Sequence, residues 1–191
     1  MTVVVRRPNL ADVDRLAAIN LETWRDAYVG IVPAPHLDSL DLEVFRERWR
    51  RNLAEGRPGA SFLVADVVGT LAGYAIVGSY RPQGGADPAE QAHTWGELYA
   101  IYTHPTLQGR GAGRALHDGA LELLRNDGHD EAALWVLEAN QRARAWYADR
   151  GWRADGATAD WGSEGVALPQ IRLRLALRDR AEWRRGAGER R

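Results

Sequence analysis

Cysteine and lysine are both missing from this sequence. Without cysteine there can be no disulfide, no thiolate metal ligand and no covalent acyl intermediate on sulfur. Without lysine all 25 basic residues are arginine. That excludes a Walker-type phosphate loop, whose lysine reaches the terminal phosphates, and Schiff-base chemistry on a lysine. Long apolar runs are absent too. None approaches the roughly 18 residues of a membrane span, and Met1 to Arg7 lacks the apolar core of a signal peptide. A formal net charge of −1 provides no broad basic surface for nucleic acid. The expectation is a cytoplasmic protein with no membrane and no nucleic-acid partner.

The residues that are present have ordinary globular proportions, 45% hydrophobic and 27% charged over 191 residues. A chain of this length suits one domain and can bury roughly 70% of the surface its unfolded form exposes. Alternating and β-branched runs predict strands over 2–7, 61–66, 70–80, 95–103, 132–137 and 171–177. Helical spacing predicts a helix after Asn9 that carries Leu16, Ala17, Trp24 and Tyr28 and ends at Gly30 and Pro33. Further helices are expected over 41–55, 111–126 and 140–149. The order β-α-α-β-β-β-α-β-α-β describes a mixed α/β sheet with helices on its faces. Residues 1–177 form the expected domain and 178–191 a charged tail with a basic excess.

One run carries the chemistry. Between Glu97 and Arg114 a strand turns at Pro105 and passes through a loop punctuated by Gly109, Gly111 and Gly113, which opens directly into a helix. Such glycines let successive backbone N–H groups converge on one anion. The first-turn N–H groups of a helix lack internal partners, and its dipole adds about half a positive charge there. Arg110 and Arg114 add full charges, so a pyrophosphate is a natural guest. A dinucleotide loop and a simple tight turn are the competing readings. The glycine spacing does not fit GxGxxG, and the loop comes late in the chain.

Gln108-Gly-Arg-Gly-Ala-Gly113 resembles the acetyl-CoA signature of the GCN5-related N-acetyltransferase (GNAT) superfamily. Asn140, Tyr147, Gly151 and Trp152 resemble its second conserved segment, and residues 23–33 are similar to one bacterial branch. The resemblance implies the GNAT fold, a mixed and mostly antiparallel sheet in which two parallel strands splay apart, here those ending near Thr103 and Leu137. It implies acetyl-CoA as acyl donor, no metal, and a primary amine or peptide N-terminus as acceptor. Backbone groups of Ile101, Tyr102 and Thr103 would pair with the pantetheine arm. Gln108, Gly109, Arg110, Gly111, Ala112, Gly113 and Arg114 would hold the pyrophosphate. Asn140 would bond the pantetheine, and the Tyr147 hydroxyl would point at the sulfur. A homodimer is a further possibility, because relatives pair through their terminal strands.

The residues add to this reading. Asn140 and Tyr147 are two helical turns apart and share a face, and Arg144 lies near the same stripe, within reach of a phosphate. An amine near pKa 10 must lose a proton before it attacks. Glu97 stands in register with the catalytic glutamate of the histone-acetyltransferase branch. Trp95 and Tyr99 beside it could raise its pKa by desolvation. The competing role for Glu97 is a rim carboxylate that orients substrate. His93 and His104 are weaker candidates for the base. Trp24, Tyr28 and Trp95 are candidate walls of the acceptor pocket, with core packing as the alternative. With no cysteine, direct transfer in a ternary complex is favoured. The rival function is a non-catalytic acyl-CoA-binding sensor or interaction module of the same fold.

Overall fold

The computed structural model describes residues 2–83, 94–163 and 166–177. The expected tail (178–191) and His93 lie outside the described residues. Seven strands form one sheet in the order β1-β2-β3-β4-β5-β7-β6. They are β1 Val3–Arg6, β2 Ala60–Val67, β3 Thr70–Ser79, β4 Trp95–Thr103, β5 Glu131–Leu137, β6 Arg153–Ser163 and β7 Val166–Ala176. Five helices accompany them: α1 Val13–Ala27, α2 Ala34–Asp38, α3 Leu42–Glu55, α4 Ala112–Asn126 and α5 Gln141–Ala148. This is the mixed sheet flanked by helices that the sequence predicts. Every pairing is antiparallel except that of β4 with β5.

Strand alternation sorts the two cores. On β2, Phe62 and Val64 face one way and pack with Leu16 and Ile19 of α1, Phe45 and Trp49 of α3, and Tyr74. Leu63 and Ala65 face the other way, onto Leu116, Ala120 and Leu124 of α4. A central strand buried on both sides must be apolar at nearly every position, as β2 is. A 3-10 turn, Leu10–Asp12, runs directly into α1 and is fixed by a capping box. Asn9 accepts from the Ala11 N–H, while the Asp12 carboxylate accepts from the Asn9 N–H, both at 2.8 Å. Arg6 of β1 bridges Asp12 and Asp66, each at 2.7 Å, and its bonds hold the Asp12 carboxyl below the usual range. Trp152 donates to His117 Nε2 at 2.9 Å, joining α4 to the segment after α5.

Two elements escape sequence reading. The first is α2, whose five residues are too few to show a period. The second is β6, whose residues Arg153–Ser163 are polar and mostly exposed because it is an edge strand, bonded only to β7. Its partner β7 begins at Val166, five residues before the strand expected at 171.

The turn from β2 to β3 uses Val68 at φ 50° and Gly69 at φ 78°. Both central residues of this tight hairpin need positive φ, for which Asn-Gly is the favoured pair. A β-branched side chain there is strained, and Val68 is 73% exposed, so it offsets the strain with little packing. Val68→Asn is therefore expected to stabilise the protein by about 1 kcal/mol. That corresponds to a rise in melting temperature of roughly 2–4 °C for a domain of this size. An unchanged or lower melting temperature would show that the strain is absorbed elsewhere.

Candidate active site

The site begins where two strands part. Parallel pairing of β4 and β5 covers Trp95 with Glu131, Gly96 with Ala132 and Glu97 with Ala133, and goes no further. Both strands continue, to Thr103 and Leu137, with a cavity of about 960 Å³ opening between them. Ile101, Tyr102 and Thr103 all line it, along the stretch of β4 that has no partner on this side.

The glycine loop closes one end. Gln108, Gly109, Gly111, Ala112, Gly113 and Arg114 line the cavity. Gly111 is the N-cap of α4 at φ 90°, a conformation that a side chain would strain. No side chain caps this helix, so its first N–H groups are left for a ligand. Arg114 lines the cavity, whereas Arg110 is exposed and does not. The Gln108 side chain is committed to the protein. Its amide donates to the Thr103 carbonyl at 3.3 Å, and its oxygen accepts from Arg142. It straps the loop to the end of β4.

Helix α5 forms a second wall, beside the glycine loop, with Ala143, Trp146 and Tyr147, and Arg150 follows just past its end. Asn140 also lines the cavity, but it is the N-cap rather than a helical residue, and its oxygen accepts from the Ala143 N–H at 3.0 Å. The inward stripe is therefore 143, 146, 147 and 150. Arg144, counted from Asn140 as though the helix began there, falls outside it. Its guanidinium bonds the Glu138 carbonyl at 2.8 Å. Arg142 and Arg150 line the cavity instead, with the Arg150 guanidinium over the Trp146 ring at 3.7 Å.

Tyr147 is 9% exposed and packs edge-on against Trp146 and Trp152, with centroids 5.1 and 5.9 Å away. Its hydroxyl has no hydrogen-bond partner among the described residues. Burial, then the proximity of Tyr28, pushes its pKa well above the ordinary value, so the hydroxyl keeps its proton at neutral pH.

Glu97 also borders the cavity, at the last paired position of β4, and is 1% exposed. It accepts from the Arg81 backbone N–H at 2.9 Å, from Nε at 3.3 Å and from Nη2 at 2.6 Å. Burial raises its pKa, and the bonds from Arg81 only partly offset that. Arg81 in turn lies 3.7 Å above the Tyr99 ring. His104 is turned away from the cavity. One nitrogen meets Glu22 at 2.6 Å, and the other meets the Thr106 hydroxyl at 2.9 Å.

Of the three candidate pocket aromatics, Trp24 and Tyr28 line the cavity and Trp95 does not. Trp95 sits on the paired stretch of β4, before the strands part, where it packs against Tyr80 at 5.3 Å and beneath Arg174 at 4.0 Å. Tyr28 and Tyr102 share a hydroxyl hydrogen bond of 3.1 Å.

Comparison with known proteins decides the family. Residues 19–152 match the model of the "Acetyltransferase (GNAT) family". The chain belongs to the GNAT acetyltransferase family. It is 34% identical over 138 residues to the uncharacterised N-acetyltransferase YuaI of Bacillus subtilis, a match that covers 72% of this chain and 73% of that one. It is 27% identical over 176 residues to a probable N-acetyltransferase of Mycobacterium tuberculosis, covering 90% and 92% of the two chains. Among solved structures, the PaiA N-acetyltransferase of Thermoplasma acidophilum, in complex with coenzyme A, superposes with a TM-score of 0.69 at 18% identity. That match covers 92% of this chain and 99% of that one.

Within this GNAT fold several cavity residues were not found from sequence. Trp161 and Asp160 lie on β6, which sequence reading leaves unassigned. Trp135 sits in the apolar run of β5 and reads there as core. Its indole nitrogen is buried without a hydrogen-bond partner among the described residues. The isolated tryptophan in an otherwise polar stretch, Trp161, was the available signal. No helix among the described residues is long and apolar enough to cross a membrane.

Proposed function

We propose that this GNAT-family protein is an N-acetyltransferase that moves an acetyl group from acetyl-CoA to a primary amine in a ternary complex. One observation carries the reading. A single cavity joins an uncapped, glycine-led helix N-terminus to the hydroxyl of a buried tyrosine, Tyr147, which has no hydrogen-bond partner among the described residues. The donor set fits an acyl-CoA. Free N–H groups of α4 with Arg114, Arg142 and Arg150 suit phosphates, and the unpaired stretch of β4 suits an amide-bearing arm. Bound acetyl-CoA supplies a thioester whose C–S bond breaks as the amine nitrogen bonds the acetyl carbon, directly, since the chain has no cysteine to carry it.

Glu97 takes a proton from the ammonium form of the acceptor, directly or through one water. Its elevated pKa brings it closer to the operating pH, which favours that transfer. Tyr147 hands its hydroxyl proton to the departing sulfur and is reprotonated by the second proton that the amine nitrogen loses on becoming an amide. The Asn140 side-chain amide, whose oxygen is held by α5, presents its N–H₂ to the arm of the donor. Main-chain N–H groups at the end of β4 are the available donors for the developing oxyanion.

The test is ligand-induced stabilisation. Acetyl-CoA is expected to raise the melting temperature more than a pantetheine fragment without the pyrophosphate. At 100-fold excess over Kd the gain is about 2.7 kcal/mol. Equal shifts from the two ligands would remove the phosphate site from the reading. Tight acetyl-CoA binding with no thiol release from any amine would favour a sensor.

A further inference from the structure

The acceptor side of the cavity is walled by six aromatic side chains, Trp24, Tyr28, Tyr99, Tyr102, Trp135 and Trp161. Three of them form one continuous surface. Trp24 meets Tyr28 at 4.8 Å and Trp161 at 5.6 Å, both tilted, and His36 backs Trp161 edge-on at 5.7 Å. Trp24, Tyr28 and Trp161 pack on one side against Val32, Leu37 and Leu137, and they are only half-buried where they border the cavity. Apolar surface of that extent is costly to leave in water, and contiguous patches of it mark binding sites.

Charge narrows the occupant. The charged side chains on this side, among the described residues, are Arg81, Glu97 and Asp160. Arg81 and Glu97 neutralise each other at 2.6 Å, which leaves one carboxylate, Asp160, beside Trp161 in sequence. A polyamine spreads several positive charges and needs several carboxylates to meet them. Among the described residues it would find one besides the Glu97 already paired with Arg81. The polar tips of Tyr28 and Tyr102 are spent on each other, so their rings offer mainly faces. Tyr28 and Tyr147 line the same cavity, so this surface shares one space with the hydroxyl assigned to the sulfur.

We propose that the acceptor is a primary amine carried on an aromatic body, an arylalkylamine, whose ring lies against the Trp24–Tyr28–Trp161 surface. This rests on the N-acetyltransferase reading above and specifies its substrate class. Ring-on-ring contact contributes beyond simple burial, and a neighbouring ammonium gains from the same ring faces.

The experiment is thiol release under saturating acetyl-CoA with 2-phenylethylamine, tryptamine, hexylamine and spermidine. The expected kcat/KM is about 10- to 100-fold higher for the two aromatic amines than for hexylamine. In Trp161→Ala and Trp24→Ala the preference falls to about threefold or less, chiefly through KM, while Trp161→Phe keeps most of it. Stabilisation by acetyl-CoA stays as in the parent in all three variants. Equal or better turnover of hexylamine or spermidine would overturn the inference and leave the N-acetyltransferase reading standing. A preference that survives both alanine variants would do the same. Preferred use of phenylacetyl-CoA over acetyl-CoA would assign the surface to the acyl group and overturn it too. If no amine releases thiol, the N-acetyltransferase reading fails. Calorimetry of 2-phenylethylamine on the CoA-loaded protein then decides the inference. Binding that Trp161→Ala abolishes supports an aromatic-amine site, and no binding refutes it.

Discussion

Tyr147→Phe is expected to lower turnover by about 10²- to 10⁴-fold while leaving acetyl-CoA affinity and melting temperature close to those of the parent. The structure separates these effects. The hydroxyl makes no hydrogen bond to the described protein, so its loss breaks no internal contact. The ring keeps its packing against Trp146 and Trp152. A rate loss of that order is about 3–5 kcal/mol of transition-state stabilisation, as expected for a proton given to the departing sulfur. A loss of a few-fold would reduce Tyr147 to a positioning role. A lower melting temperature with unchanged turnover would make it a purely structural aromatic.

Glu97→Gln is expected to cost turnover of similar size, with a distinct signature in pH. A carboxylate base works only when ionised, so the rate should fall as pH drops through its pKa. That pKa is raised, so the acid limb should lie above the ordinary carboxylate range. The glutamine variant should lose the limb. Arg81→Ala provides the converse test. The bonds from Arg81 pull the Glu97 pKa down, so their removal should shift the limb towards neutral pH. Arg81 is itself partly exposed, with 45% of its side chain accessible, so the fold should tolerate the change. A rate profile unmoved in both variants would mean that another group or bulk water takes the proton.

The legible parts of the site were those in which local sequence and geometry coincide. Three glycines ahead of a helical period can be read as a ligand-facing helix start, because the requirement at Gly111 is a backbone conformation that a side chain would strain. Features set by tertiary pairing were not legible. Trp95 and Trp161 look alike in sequence, each an aromatic beside a glycine. What separates them is where β4 leaves β5, since Trp95 stands on the paired side and Trp161 borders the opening. The misplacement of Arg144 has a smaller cause. Asn140 caps α5 instead of joining it, so counting the helical stripe from that residue rotates the expected face. Strand β6 escaped because an edge strand can be polar on most positions and still be held by its neighbour.

The central claim is acetyl transfer to an amine in this cavity, and single-turnover thiol release tests it most directly. Stoichiometric acetyl-CoA would be mixed with excess protein and a primary amine. The wild type should release one equivalent of thiol and form one equivalent of N-acetylated amine, and Tyr147→Phe should do so far more slowly at equal cofactor occupancy. Thiol released without N-acetylated amine, or no thiol released despite full occupancy, would contradict it.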